Sequence, residues 1–358
     1  MKILDKYILK NFLGTFFFTM AMIMSIAVVF DVSEKVDDFI QGGAGLKEIL
    51  FDYYFNFILH YGNLFSSLLI FLSVILFTSK LAQRTEFIAI LCSGVSFQRL
   101  LFPYFLGATF LAGGSLYLNH YQLPKANKKR IQFEADYIRN PFRINDKHLH
   151  REIEPGTIVY FESLLLSENK GYKFSLERWE NGELVEKTNA RKAVFNPNDS
   201  TWLLNDYEIR ILHAKGEQVR KGWSLDTNFA FVPSDFGERL DVVATMTTPE
   251  LVAFIEKEKQ KGSDKITFFE IEKHQRTSYP LAAYILTLMG ASISGRKVRG
   301  GVGLHIALGF FMVIFYIFLM KISTVAATNS GISPLTAVWI PNILFGLVAI
   351  VLYRKAQK

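Results

Sequence analysis

Chemistry needs nucleophiles, acids, metal ligands or phosphate-binding turns at workable spacing, and this sequence offers few of them. Its one cysteine, Cys92, can form no disulfide within the chain, and a lone thiolate excludes a cysteine-built zinc or iron–sulfur site. His148 and His150 flank Leu149 and would share a strand face, yet two ligands without a third make a weak metal site. No G-x-x-x-x-G-K-[ST] loop, G-x-S-x-G elbow, H-E-x-x-H pair or C-x-x-C pair occurs. The glycine-rich stretch 295–303 lacks the Lys-Ser/Thr pair that holds phosphates and joins two apolar blocks. Neither a cofactor, a metal nor a stand-alone enzyme activity is expected.

The most informative polar group is Glu86. It is the only acid in the stretch 80–94, which ends at Gly94, a natural helix stop. Leu81, Arg84, Phe87, Ile88, Leu91 and Val95 follow helical spacing, so one face is largely apolar, while Lys80, Gln83, Glu86 and Ile90 lie towards another. Two roles fit this pattern. A short helix could lie in a membrane interface with its charges solvated. Alternatively it docks into a partner and brings Glu86 to a basic group there.

The elements that would position such a helix are apolar. Half of the 358 residues are hydrophobic and 15% aromatic, yet 20% are charged, a mixture that implies greasy blocks and a polar block in one chain. A membrane-crossing helix needs about 20 mostly apolar residues. Blocks 12–30, 53–78 and 100–118 precede a long gap, and 279–294, 302–320 and 335–353 follow it. The fourth block is the shortest and gains length from an amphipathic run starting at 266. The second carries His60 and Asn63, polar groups suited to bonding neighbouring helices.

Basic residues cluster in Lys2, Lys6 and Lys10, in Lys80, Arg84 and Arg99, in Arg296, Lys297 and Arg299, and in Arg354, Lys355 and Lys358. With six spans, all four groups fall on one side, which the positive-inside rule makes cytoplasmic. The segment 31–52 holds six acids against Lys35 and Lys47, as an external loop would. The net charge of +7 therefore reads as membrane orientation rather than nucleic-acid binding.

The middle segment, 121–265, reads as an extracytoplasmic domain. Residues 157–162 are β-rich, and Tyr172, Phe174 and Leu176 alternate with polar residues. Asn181 and Gly182 sit between two strand-like runs, a strong hairpin signal. Asn196 to Ser200 form a turn cluster before Trp202; residues 207–211 alternate again, and Gly216 and Gly222 read as turns. The pattern predicts an antiparallel sandwich, jelly roll or open barrel. Thr247, Pro249 and Glu250 then cap a helix that leads back towards the membrane.

Taken in order, several short runs resemble a known family. Leu81, Ala82, Gln83, Arg84, Thr85, Glu86 and Phe87 with Ser93 and Gly94 look like the signature of the LptF/LptG permeases of lipopolysaccharide export. Leu4, Asp5, Lys6, Tyr7 and Ile8 fit the same family, as do Gly331 to Pro334 and Trp339 to Asn342, the last two resembling the G subunit somewhat more. The likeness covers essentially the whole chain. It implies an α+β membrane protein in which spans within 1–120 and 266–358, three plus three, flank a β-jellyroll domain over 121–265. It implies an inner-membrane F–G heterodimer driven by a cytoplasmic dimer of the LptB-type ATPase. Lipopolysaccharide would enter a cavity between the two subunits through gates formed by first and fifth spans, then pass to a periplasmic jellyroll bridge.

Carried over by position, Glu86 would meet the ATPase within a coupling helix of 83–93, with Arg84, Phe87 and Leu91 beside it. Phe30, Lys35, Phe311, Phe315 and Lys321 would face the cavity or gate. One departure is that family members often place basic residues beyond the first span, whereas Asp31, Glu34, Asp37 and Asp38 surround Lys35 here.

Two rivals differ in testable ways. Permeases of the lipoprotein-release or macrolide-export type place one span before the external domain and three after it. A membrane-anchored assembly protein would leave the pattern around Glu86 without a purpose. In intact spheroplasts carrying the full chain with Cys92 replaced, a cysteine at position 198 should react with an impermeant thiol reagent and one at 297 should not. The reverse pattern would exclude the six-span topology.

Overall fold

A computed structural model describes residues 2–138, 148–165, 169–197, 199–213, 216–233, 236, 240–260, 263, 265–295 and 301–356. Arg296, Lys297, Arg299, Lys358 and position 198 lie outside the described residues. The chain divides into two units: Met1–Arg139 with Val243–Ile255 and Lys265–Lys358, and Asn140–Val242 with Glu256–Asp264.

The first unit is helical. Helix α1 (Ile3–Gly42) is a single 40-residue helix, about 60 Å long at 1.5 Å per residue. The segment from Asp31, expected as a loop, continues it. No Gly or Pro interrupts residues 31–41, Val32, Val36 and Phe39 keep helical spacing, and Lys35 pairs with Asp31 at 2.9 Å one turn earlier. Gly43, at φ +72°, supplies the left-handed cap. Phe39 is held in a buried aromatic cluster with Tyr53, Tyr54, Phe57 and Phe133.

The second block is built from α2 (Leu46–Glu48), a π-helical stretch Ile49–Tyr54, α3 (Phe55–Leu64) and α4 (Ser66–Gln83). Then come α5 (Glu86–Cys92), α6 (Phe97–Tyr117), a π-helical stretch Leu118–Gln122 and α7 (Leu123–Tyr137). Residues 123–137, expected inside the β-domain, are thus helical and group with the first unit. After the middle segment follow α8 (Thr248–Gln260), α9 (Ile266–Ser294), α10 (Gly301–Ser330) and α11 (Pro334–Ala356). Glu250 accepts from the Thr247 N–H at 2.7 Å at the start of α8, and this bond holds its carboxyl below the usual range.

Among the described residues, five helical runs are long and apolar enough to cross a membrane: Ile3–Gly42, Ser66–Gln83, Phe97–Tyr137, Gly303–Ser330 and Pro334–Ala356. The fourth expected span is α9, which falls short because its first half carries Glu270, Glu272, Lys273 and Arg276 and its second half is rich in small and hydroxyl-bearing residues. Its apolar half packs against α4, α6 and α11. A helix surrounded by helices can be lined with small residues instead of large ones. At Gly290 an added Cβ would lie 3.0 Å from the Phe71 ring and 3.1 Å from Val74.

The second unit is one antiparallel sheet. Strands β1 (Leu149–Glu154), β2 (Thr157–Phe161), β3 (Ser163–Leu165), β4 (Lys170–Glu180), β5 (Glu183–Asn196), β6 (Thr201–His213) and β7 (Gly216–Thr227) pair in the order β1-β2-β4-β5-β6-β7, with β3 also on β4. Apart from β3, which pairs with β4 beside β2, neighbours in the sheet are neighbours in the chain, so the connection is a meander. Asn181 and Gly182, at φ 53° and +84°, make the expected tight hairpin. The core holds Phe161, Phe174, Trp202, Leu204, Tyr207 and Phe231, and the Trp202 indole donates to the Phe231 carbonyl at 3.0 Å.

Simple alternation fails here in one ordered way. Ala190 and Ala193 on β5, and Leu204 and Tyr207 on β6, are three apart yet all buried in the same core. Between these pairs runs a row of exposed residues, Lys173, Arg191, Asp206 and Trp223, with Lys173 and Asp206 at positive φ (49° and 55°). The pleat therefore slips by one residue along a line crossing four strands. That slip leaves Tyr172 exposed although Phe174 and Leu176 are buried, so the three do not share one core face. Gly222 also proves not to be a turn. It lies inside β7 opposite Tyr207, where an added Cβ would approach the ring to 2.7 Å.

Gly222→Ala should therefore destabilise the β-domain by about 1–3 kcal/mol, the usual cost of overpacking. Thermal melting of the purified protein, read by the near-ultraviolet signal of Trp202 and its neighbours, measures this. Wild-type melting would contradict the close approach of Tyr207.

Candidate functional site

Helix α4 ends at Gln83 and α5 begins at Glu86, so the helix expected over 83–93 is broken by an elbow at Arg84 and Thr85. Thr85 sits at φ 59°, a left-handed conformation that is unfavourable for a β-branched side chain. Its hydroxyl donates to the Arg84 carbonyl at 2.6 Å, and its N–H to the Ala82 carbonyl at 3.1 Å. Gly94, at φ +86°, ends the short helix. The elbow re-aims the chain so that Phe87 points inward.

Phe87 is 2% exposed and packs in one cluster with Leu81, Phe97, Leu100 and Ile8. Gly295 approaches it closely enough that a Cβ there would lie 2.9 Å from the ring. Leu91 packs partly buried against the same cluster, whereas Ile88 is exposed. The apolar stripe anticipated from spacing is thus divided: Phe87 and Leu91 anchor α5 to its own chain, and Ile88 faces outward. Arg84 and Glu86 remain accessible, with side chains 61% and 36% exposed.

Glu86 is not the isolated acid its sequence context implied. The Tyr7 hydroxyl donates to its Oε2 at 2.9 Å, and Arg84 Nη1 stands 3.9 Å from its Oε1. Two residues away, Asp5 takes a bidentate pair of bonds from Arg99, at 2.7 and 2.8 Å, with the Asp5 side chain only 3% exposed. Sequence reasoning missed both contacts, counting Arg99 only as an orienting charge. A signal was present. Asp5, Ile8, Phe12 and Phe16 recur at helical spacing, which puts an acid on the buried face of α1.

The other expected positions separate into two groups. On α1, Phe30 is 72% exposed, while Lys35 is drawn inward. Its ammonium pairs with Asp31 and donates to the Tyr53 hydroxyl, and Tyr53 and Tyr54 both donate to Asp31. Beside them an apolar groove of about 710 Å³ runs between Val28, Val36, Ile40, Leu46 and Ile58. On α10, Phe311 and Phe315 are exposed with stacked rings, and Lys321 is exposed beside a cavity of about 220 Å³ lined by His60, Asn127, Glu272 and Arg276. The structure does not bring these two groups together within the chain: α1 packs on α4 and α6, and α10 on α4, α9 and α11. Both helices have bare apolar flanks, with only 22% and 17% of their spanning windows covered.

Among the described residues, no group of three or more His, Cys, Asp or Glu is placed to hold a metal ion. His148 and His150 both meet Tyr160, His148 by a 2.8 Å hydrogen bond and His150 by ring contact, over a shallow cavity of about 670 Å³. Glu177 on its wall is held below the usual carboxylate range by its 2.7 Å bond to Lys187.

The C-terminal runs prove to be structural. Gly331, at φ +69°, follows α10, Ser333 accepts from the Thr336 N–H at the start of α11, and Pro334 takes the first helical position. Asn342 accepts from the Tyr316 hydroxyl at 2.8 Å and donates to the Ser278 carbonyl, tying α11 to α10 and α9.

No individual curated protein matches the chain. The family model described as lipopolysaccharide export system permease LptF/LptG matches residues 6–355, nearly its whole length. The chain is a multi-pass membrane protein with an antiparallel β-domain between two sets of apolar helices, and it belongs to the LptF/LptG family of lipopolysaccharide export permeases.

Proposed function

We propose that the chain is one permease subunit of an ABC-type transporter that extracts lipopolysaccharide from the bacterial inner membrane. In this reading both termini are cytoplasmic and the β-domain is periplasmic. An LptB-type ATPase dimer supplies hydrolysis, and a second LptF/LptG-type subunit completes a cavity. The lipid leaves along a bridge of periplasmic jellyroll domains.

The observation that carries the reading is the bare apolar flank of α1 and α10, which the proposed six-span topology makes the first and fifth spans. These helices do not close against each other within one chain, which suits a cavity whose opposite wall and gates come from a second subunit. Exposed Phe30, Phe311 and Phe315 fit contact with acyl chains. Lys35 is a weaker candidate for a phosphate contact, because Asp31 already neutralises it. Three apolar runs before the β-domain fit this family and not the lipoprotein-release arrangement.

Glu86, partly exposed at an elbow and flanked by the anchored Phe87, is the proposed contact with the ATPase. Removing one partner of a shielded charged pair costs about 2–5 kcal/mol. Glu86→Ala should therefore weaken ATPase co-purification and slow lipid release in reconstituted membranes. Gln should be milder and Lys worst, while membrane insertion stays normal. Wild-type co-purification and release in Glu86→Lys would reduce Glu86 to a solvated surface charge.

A further inference from the structure

The contact between Tyr7 and Glu86 joins residues 79 apart, from the start of the first span to the start of α5. It uses one carboxylate oxygen and leaves the other open. Oε2 accepts the Tyr7 hydroxyl at 2.9 Å, whereas Oε1 has Arg84 at 3.9 Å, too far for a hydrogen bond. A carboxylate oxygen accepts up to two bonds, so among the described residues Oε1 keeps room for a cation while Oε2 stays fixed.

The surroundings make this more than a chance surface bond. Thr85, immediately before Glu86, holds a left-handed backbone, and Phe87, immediately after it, is buried, so Glu86 has little freedom to move along the chain. The Asp5–Arg99 pair, two residues from Tyr7, fixes the same end of α1 to the first turn of α6. Ile8, Phe12 and Phe16 then pack in the cluster that holds Leu81 and Phe87. An added Cβ at Gly107 of α6 would lie 2.6 Å from the Phe12 ring, so α1 and α6 are in close contact there. Helix α1 runs without a proline from this anchorage to Gly42. The near end of a bare-flanked span is thus tied to α5 and α6 by two separate polar contacts.

We infer that Tyr7 is a positioning residue: its hydroxyl ties Glu86 to the start of α1 and so links docking at α5 to movement of α1. The inference rests on the proposed role of Glu86 in meeting the ATPase. Losing the hydroxyl would leave the carboxylate able to dock. What it would lose is the link between α5 and α1.

The test uses the full chain with its co-purifying ATPase in reconstituted membranes, reading ATPase co-purification and lipid released per ATP hydrolysed. Tyr7→Phe should keep co-purification but lower the lipid released per ATP by about tenfold or more, the loss expected for one hydrogen bond to a charged group. Adding Tyr7→Phe to Glu86→Ala should lower that ratio little further, because the two act through one bond. A wild-type ratio in Tyr7→Phe, or losses that simply multiply in the double variant, would overturn the inference. So would loss of co-purification in Tyr7→Phe, which would make Tyr7 part of the docking surface itself. Glu86→Lys separates the two ideas. If it abolishes co-purification while Tyr7→Phe is wild type, only the role of Tyr7 fails; if Glu86→Lys is wild type, the docking role fails first.

Discussion

Water does not reach the middle of a bilayer, so a backbone carbonyl that a proline deprives of its partner must find a donor on a neighbouring helix. That constraint organises the first unit. Pro341 in α11 cannot supply the N–H that the Ala337 carbonyl would accept, and the Ser323 hydroxyl of α10 supplies a donor instead. In α9 the carbonyls of Tyr279 and Ser278, just before Pro280 and not the one the ring deprives, also take bonds from neighbouring helices, from Ser67 at 2.7 Å and Asn342 at 3.3 Å. These bonds fix α4, α10 and α11 around α9. The central helix can then afford small residues and charges that no lipid-facing helix would carry.

The order of the elements was readable because their signals are local. The apolar blocks, the Asn181–Gly182 hairpin and the cap at Thr247 each depend on residues close in sequence. What escaped depends on residues far apart. The partners of Asp5 and Glu86 lie 94 and 79 positions away. The extension of α1 past Asp31 is supported by aromatic residues of the second block and α7, which turn an acidic stretch into a helix. The apolar stripe around Glu86 was legible as a stripe, yet only the elbow at Thr85 decides which of its members face inward. Phe30, Phe311 and Phe315 stand exposed on α1 and α10, while Lys35 is taken up by Asp31 and Tyr53.

The slipped pleat shows a different limit. Period-two alternation reads correctly on either side of Lys173, Arg191, Asp206 and Trp223, and fails across them. A residue at positive φ in each of two strands resets which face the next residue takes. No composition rule marks Lys or Asp for that conformation, so the reset becomes visible only when strands are placed side by side.

The bare flanks of α1 and α10 carry a consequence for the energetics of any surface laid against them. In water, parting two apolar faces would cost about 25 cal/mol for each Å² uncovered. In a bilayer the uncovered face meets acyl chains instead, which are as apolar as the side chains they replace. Contact along these helices is therefore decided by shape and by a few polar groups, and its net free energy stays small. A seam of that kind can part and reseal many times without the work a soluble interface would demand.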